Sequence, residues 1–203
     1  RSSSAASDVY KRQLYAFDES LVFSNTFILQ IEDNLAQITR LQENEFAVKM
    51  SSFKFTKSSC AIADSQELQF NFEGTDIKFY PVSVGNPHAV IFQDNLSDQI
   101  PEMGLTLQES NIYKNGVNVG FVKILNEKEI NLRVVERGVG ETLACGSGAC
   151  AAVLSGVKNN LLQSSVLVNF KKGKLKVEVN LDEEWFNLIG EAKYIEKGIK
   201  INP

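Results

Sequence analysis

The sequence is poor in histidine, tryptophan and proline, with one, one and four among 203 residues, and it has only three cysteines. Cys60, Cys145 and Cys150 are an odd number without paired spacing, which argues against a disulfide framework and for a reducing, cytoplasmic compartment. Cys145 and Cys150 stand five apart with no histidine or further cysteine beside them, so zinc-site spacing is missing as well. No apolar run approaches the roughly 18 residues of a membrane span. Positive charge is not in excess: 21 Lys and Arg face 25 Asp and Glu, for a net charge of −4. Nucleic-acid and membrane surfaces are therefore not expected as partners. The one dense basic stretch, KKGKLK at 171–176, alternates with apolar residues around Gly173 and reads as a solvated hairpin turn.

What is present is a chain that is 43% hydrophobic and 23% charged, long enough for a real core in one large or two small domains. Its first thirteen residues, RSSSAASDVYKRQ, have no hydrophobic period, and SDVYKRQ resembles the translation of a transposon-derived sequencing adaptor. Residues 1–13 are expected to be such an artefact joined to a truncated gene, and are set aside from the fold.

From Leu14 onward the pattern is mostly strand. Residues 21–32 and 37–50 are rich in β-branched and aromatic side chains, and 75–84 and 88–92 flank the turn Gly85-Asn86-Pro87. Asn-Pro favours a tight bend, which places His88 just past it. Residues 117–125 and 129–137 read as a hairpin across NEK, and 166–170 with 174–179 as another. Two helices are predicted: a short one at 98–110, despite Gly104, and a buried alanine-rich one at 148–160. The class is α+β, with long antiparallel strands.

The segment ERGVGETLACGSGAC at 136–150 carries the chemistry. Gly138 and Gly140 allow a tight, irregular loop after a strand. Cys145 falls just ahead of, or at, the first turn of the alanine-rich helix. Unpaired amides and the helix dipole favour a thiolate there, and the amides of Gly146 and Ser147 can cradle a carboxylate. Taken singly, each feature has an ordinary structural reading. A lone cysteine can be core filler, Glu136–Arg137 a surface pair of little worth, and His88 the holder of a local hydrogen bond. The glycine loop lacks the Lys-Ser/Thr of a phosphate loop.

Together with VSVGNPHAVIF at 82–92, NGVNVGFV at 115–122 and LIGEAKYIEKG at 188–198, the segment resembles diaminopimelate epimerase, a cofactor-independent amino-acid epimerase. The resemblance covers nearly everything from about residue 20 onward. It implies two similar domains, each a mostly antiparallel sheet wrapped around a central helix, with the active site in the cleft between them. On that template residues 51–194 form the C-terminal domain, and 14–50 with 195–203 the remnant of an incomplete N-terminal one. That remnant is expected to leave apolar surface exposed.

The resemblance further implies inversion of one stereocentre of diaminopimelate, from the LL to the meso form, in lysine and peptidoglycan precursor synthesis. No metal or cofactor takes part, the partner is a small amino acid, and a homodimer is compatible. Two cysteines act on opposite faces of the α-carbon. Cys145 matches the second of them, and His88 and Glu136 match groups that tune the thiols. Asn86, Asn118, Glu136 and Arg137 match substrate-binding positions, and Gly146 and Ser147 would hold the carboxylate of the reacting centre. Arg137 with Asn118 would grip the distant amino-acid end.

One departure stands out. The family's first cysteine lies in a Gly-Asn-Gly-x-Arg-Cys motif, and this sequence contains none. Cys60, in SSCAIAD, and Cys150, about one and a half turns beyond Cys145, read as packing residues. The chain as written is accordingly expected not to epimerise diaminopimelate. Three alternatives remain: a sibling racemase acting on proline, hydroxyproline or histidine, a hydrolase with a Cys145–His88–Glu136 triad, and a binding module without an essential thiol.

Overall fold

The computed structural model describes residues 24–31 and 34–191. Readings that fall on 1–13, on 14–23 and on 195–203 lie outside the described residues, as does the end of the LIGEAKYIEKG motif. Three N-terminal strands, β1 (Thr26–Ile31), β2 (Asn34–Gln42) and β3 (Glu45–Met50), open the chain. A 3-10 turn (Ser58–Cys60) and a small hairpin of β4 (Gln69–Phe72) and β5 (Thr75–Lys78) follow. Then come β6 (Tyr80–Ser83), β7 (Pro87–Phe92), helix α1 (Ile100–Glu109), β8 (Asn118–Asn126), β9 (Glu129–Glu136) and β10 (Gly140–Thr142). Helix α2 (Gly146–Lys158) leads to β11 (Ser165–Asn169), β12 (Lys174–Asn180) and β13 (Trp185–Glu191).

The large sheet runs β1-β2-β3-β13-β12-β11-β9-β8-β7-β6, with β10 paired to β9. Its pairings are antiparallel except for two, β7 with β8 and β9 with β11. Each parallel pair needs a crossover, and each crossover carries a helix: α1 between β7 and β8, α2 between β9 and β11. Because the β8–β9 hairpin reverses the strand direction, right-handed crossovers must put the two helices on opposite faces. They lie so. Val90, Val122, Ile130, Leu132 and Val134 pack with α2, whereas Ala89, Ile91, Val119, Phe121 and Val135 pack with α1.

The α2 face is the main core. Val82 on β6, Val166 and Val168 on β11, Val177 on β12 and Phe186 and Leu188 on β13 join it, so the sheet curls around the helix. Residues Gly146 to Gly156 of α2 are all buried, and they are small enough for strands to approach from several sides. A third cluster of Ala36, Ile38, Phe46 and Val48 extends this face over β2 and β3. The outer side of β1 and β2 leaves Ile28, Leu35 and Leu41 exposed.

Two stretches read as single strands are divided. Residues 37–50 turn at Glu43 and Asn44, where the Arg40 guanidinium donates to the Glu43 carbonyl at 2.6 Å. Residues 75–84 break at Phe79, whose amide bonds back to Leu68 at 3.0 Å while its ring is fully buried. There the chain leaves the β4–β5 hairpin for the large sheet. Among the described residues, no helix is long and apolar enough to cross a membrane.

Candidate active site

Even-numbered residues of β7, β8 and β9 face α2, so the ends of these strands set out the site by simple alternation. His88 at the start of β7 pairs in register with Asn118 at the start of β8. Glu136, at the end of β9, lies one step past the Val119–Val135 pair, in the same row. The row His88–Asn118–Glu136 thus crosses three strands on the α2 face at one end of the sheet. All three side chains are buried.

Cys145 stands at the start of the helix that packs on the same face of the sheet. It is the N-cap of α2, with extended backbone at φ −141 and ψ 110, and its sulfur accepts the Gly148 N–H at 3.4 Å. The Ser147 hydroxyl stands 3.5 Å from the same sulfur. A Cβ placed on Gly148 would meet Val134 Cγ2 at 3.0 Å and Cys145 Sγ at 3.3 Å, which seats the helix start against β9 two residues before Glu136. Gly146 begins the helix, so its amide belongs to the unpaired first turn.

Each partner has a defined hold. The Arg137 backbone N–H donates to Asn118 Oδ1 at 2.9 Å, and Thr142 Oγ1 donates to Glu136 Oε1 at 2.6 Å. His88 Nε2 lies 3.3 Å from Asn86 Oδ1, and Tyr113 donates to the His88 carbonyl at 3.4 Å. His88 Nδ1 is buried without a hydrogen-bond partner, and burial pulls the imidazole down to about 3, so the ring is neutral near pH 7. With Nε2 donating to Asn86, Nδ1 is a bare acceptor.

Arg137 is placed differently from its companions. Its stem lies over Gly116, which holds φ +72, and its guanidinium donates to the Asn115 carbonyl. The side chain is exposed, and its link to Asn118 runs through the backbone rather than the guanidinium. Gly138 and Gly140, at φ +71 and +90, make the tight loop that their sequence positions suggest.

Cys60 and Cys150 are fully buried, and burial pushes both thiols up. Cys60 sits in the apolar layer on the α1 side, the opposite face of the sheet from Cys145. The sequence reading passed over Thr142 and the clamp behind it. Arg133 holds both oxygens of Glu141, at 2.6 and 2.9 Å, and donates to the Ser97 carbonyl at 2.6 Å. Lys171, in the basic hairpin turn, adds an ion pair to Glu141 at 2.9 Å. Among the described residues, no group of three or more His, Cys, Asp and Glu is arranged to hold a metal ion.

A large sheet curled around a buried, alanine-rich helix is a fold that this chain shares with solved structures of quite different sequence. A probable proline racemase from Agrobacterium radiobacter superposes with a TM-score of 0.68 at 12% identity, over 97% of this chain and 67% of that one. A phenazine biosynthesis protein of the PhzF family from Bacillus anthracis gives 0.57 at 15%, over 91% and 71%. At such identities the likeness is one of fold. Sequence is more specific. The diaminopimelate epimerase family model matches residues 80–195, and the chain belongs to that family. It is 35% identical over 182 residues to the diaminopimelate epimerase of Vesicomyosocius okutanii, covering 89% of this chain and 66% of that protein. It is 44% identical over 123 residues to the enzyme of Buchnera aphidicola, covering 60% and 43%. The chain therefore spans about two thirds or less of the length of these relatives.

Proposed function

We propose that the chain carries one of the two acid–base faces of a diaminopimelate epimerase, with the Cys145 thiolate as the group that takes or returns the α-proton. The observation that carries this reading is the seat of Cys145 as the N-cap of α2, whose first turn packs at Gly148 against Val134 of β9, the strand that ends at the buried Glu136. An α-proton beside an ammonium and a carboxylate is weakly acidic, so the developing carbanion needs electrostatic help. The first amides of α2, those of Gly146 and Ser147, supply it by binding the carboxylate at the positive end of the helix dipole. Burial raises the worth of each such contact by excluding water.

In the forward step the thiolate removes H+ from the α-carbon, leaving Cys145 as the thiol and the carbanion conjugated with its carboxylate. Inversion needs a second acid on the opposite face. Neither Cys60, behind the sheet, nor Cys150, inside the helix layer, supports that role. The expectation for the 203-residue chain is proton exchange without inversion.

The test is incubation with LL- and meso-diaminopimelate in D2O, followed by mass spectrometry and chiral separation. One stereocentre should acquire deuterium with retained configuration, Cys145→Ala should abolish the uptake, and proline, hydroxyproline and histidine should not compete. Uptake that survives Cys145→Ala, or absence of uptake at saturating diaminopimelate, would sink the proposal. Net inversion would make Cys60 the first residue to examine.

A further inference from the structure

We propose that Thr142 is a positioning residue, holding the Glu136 carboxylate by one oxygen so that the other is presented to the bound amino acid. The inference rests on the site reading above and extends it to a residue outside the set that the family resemblance supplies.

The geometry begins with strand register. In the β9–β10 ladder Glu136 lies opposite Gly140 and Val134 opposite Thr142, so Glu136 and Thr142 are diagonal neighbours on one face. The hydroxyl of Thr142 donates to Glu136 Oε1 at 2.6 Å, the length of a bond from a hydroxyl to a carboxylate. Glu136 is buried, so a partner that restrains its side chain also offsets the cost of keeping its charge from water.

A three-residue strand alone would be a poor holder, but β10 is anchored. Alternation sends the neighbouring Glu141 to the opposite face, where the Arg133 fork takes both of its oxygens and Lys171 adds a second cation. The same Arg133 donates to the Ser97 carbonyl, ahead of α1. Thr142 is therefore carried on a strand fixed from behind by two cations. A β-branched hydroxyl is stiff at χ1, which suits a residue whose work is to fix another.

The experiment compares Thr142→Val, which removes the hydroxyl at nearly constant shape, with Thr142→Ser, which keeps it. Two readouts are needed. The first is the side-chain carboxyl resonance of Glu136 in protein labelled with 13C-glutamate, assigned by its loss in Glu136→Gln. It should move in Thr142→Val and stay near the wild-type position in Thr142→Ser. The second is α-deuterium exchange on diaminopimelate. Thr142→Val should lower the maximal exchange rate by about 10- to 100-fold, with a much smaller change in apparent KM, and Thr142→Ser should restore most of it. A Glu136 resonance unmoved in Thr142→Val overturns the proposal, as does exchange at the wild-type rate. Should wild-type protein show no exchange while the resonance still moves, the epimerase reading falls and the hold of Thr142 on Glu136 stands.

Discussion

The backbone N–H of Arg137 donates to the side-chain carbonyl of Asn118 at 2.9 Å, which ties the loop after β9 to the first residue of β8. The bond fixes the orientation of a buried amide: Oδ1 is engaged by the backbone, and Nδ2 is left as the donor.

Asn118→Asp should therefore keep the fold and lose the ligand. Aspartate retains the acceptor for the Arg137 N–H but replaces a donor with a second carboxylate in the row that holds Glu136. We expect a melting temperature below wild type, since a second carboxylate is buried beside Glu136, and diaminopimelate affinity per folded molecule weakened by about 1.5–3 kcal/mol, roughly 10- to 150-fold. Calorimetric titration beside thermal melting checks both. Unchanged affinity would show that the Asn118 amide does not face the ligand.

Gly104→Ala tests the packing behind the site. In an isolated helix the change would gain up to about 1 kcal/mol. Here the new Cβ would come within 2.6 Å of Val135 Cγ2 and 2.7 Å of Val135 Cβ, atoms of a stiff side chain next to Glu136. Overpacking should win, with a net loss of about 1–3 kcal/mol in urea unfolding. A stabilised variant would mean that α1 can slide off β9 at little cost.

Gly104 also shows where sequence reading reached its limit. In the sequence it is only a weakness in the short helix at 98–110, and that helix forms at Ile100–Glu109 around it. Its reason, contact with Val135, is a long-range one. The β8–β9 hairpin and the helix behind Cys145 were legible because period, turn residues and small side chains all act locally. The place of Cys145 just ahead of, or at, the helix start followed from its glycines, whereas its part as the N-cap is set by the helix beginning at Gly146 rather than 148. Strands β4, β10 and β13 were not read, since β10 is three residues long and β13 is fixed by pairing with β12 and β3, remote in sequence. Thr142 stood inside the quoted motif, yet its bond to Glu136 depends on the β10 register, which a three-residue strand does not advertise.

Acid should weaken the chain in two stages. Burial lowers His88 from 6.5 to about 3, so between those values the unfolded chain binds more protons than the folded one. Stability then rises with pH and is lost as pH falls, by at most about 1.4 kcal/mol per unit. The Arg133 hydrogen bonds lower Glu141 from 4.5 to about 2, with Lys171 assisting, which adds a loss of the same sign below about pH 4.5. Urea midpoints measured from pH 7.5 to 3.5 should begin to fall near 6.5. His88→Gln should flatten the upper stage, and Glu141→Gln only the lower. A wild-type midpoint constant between pH 7 and 5 would show that His88 takes up its proton in the folded state.

Cys145→Ser separates what the thiol does for the helix from what it does for the reaction. As the N-cap, the sulfur accepts the Gly148 N–H at 3.4 Å. A serine oxygen is among the best N-cap acceptors, so the helix start should be held at least as well. The melting temperature is expected to stay level or rise slightly. Serine does not ionise near neutral pH, so α-deuterium exchange should drop by at least about 10³-fold, as for loss of an essential acid–base group. Cys150→Ala gives the contrast. Its thiol is fully buried and pushed up by burial, so exchange per folded molecule should remain while stability falls by about 1 kcal/mol for the small cavity. If Cys145→Ser exchanges as fast as wild type, the sulfur is only a cap, and the proton must be handled by another group in the row.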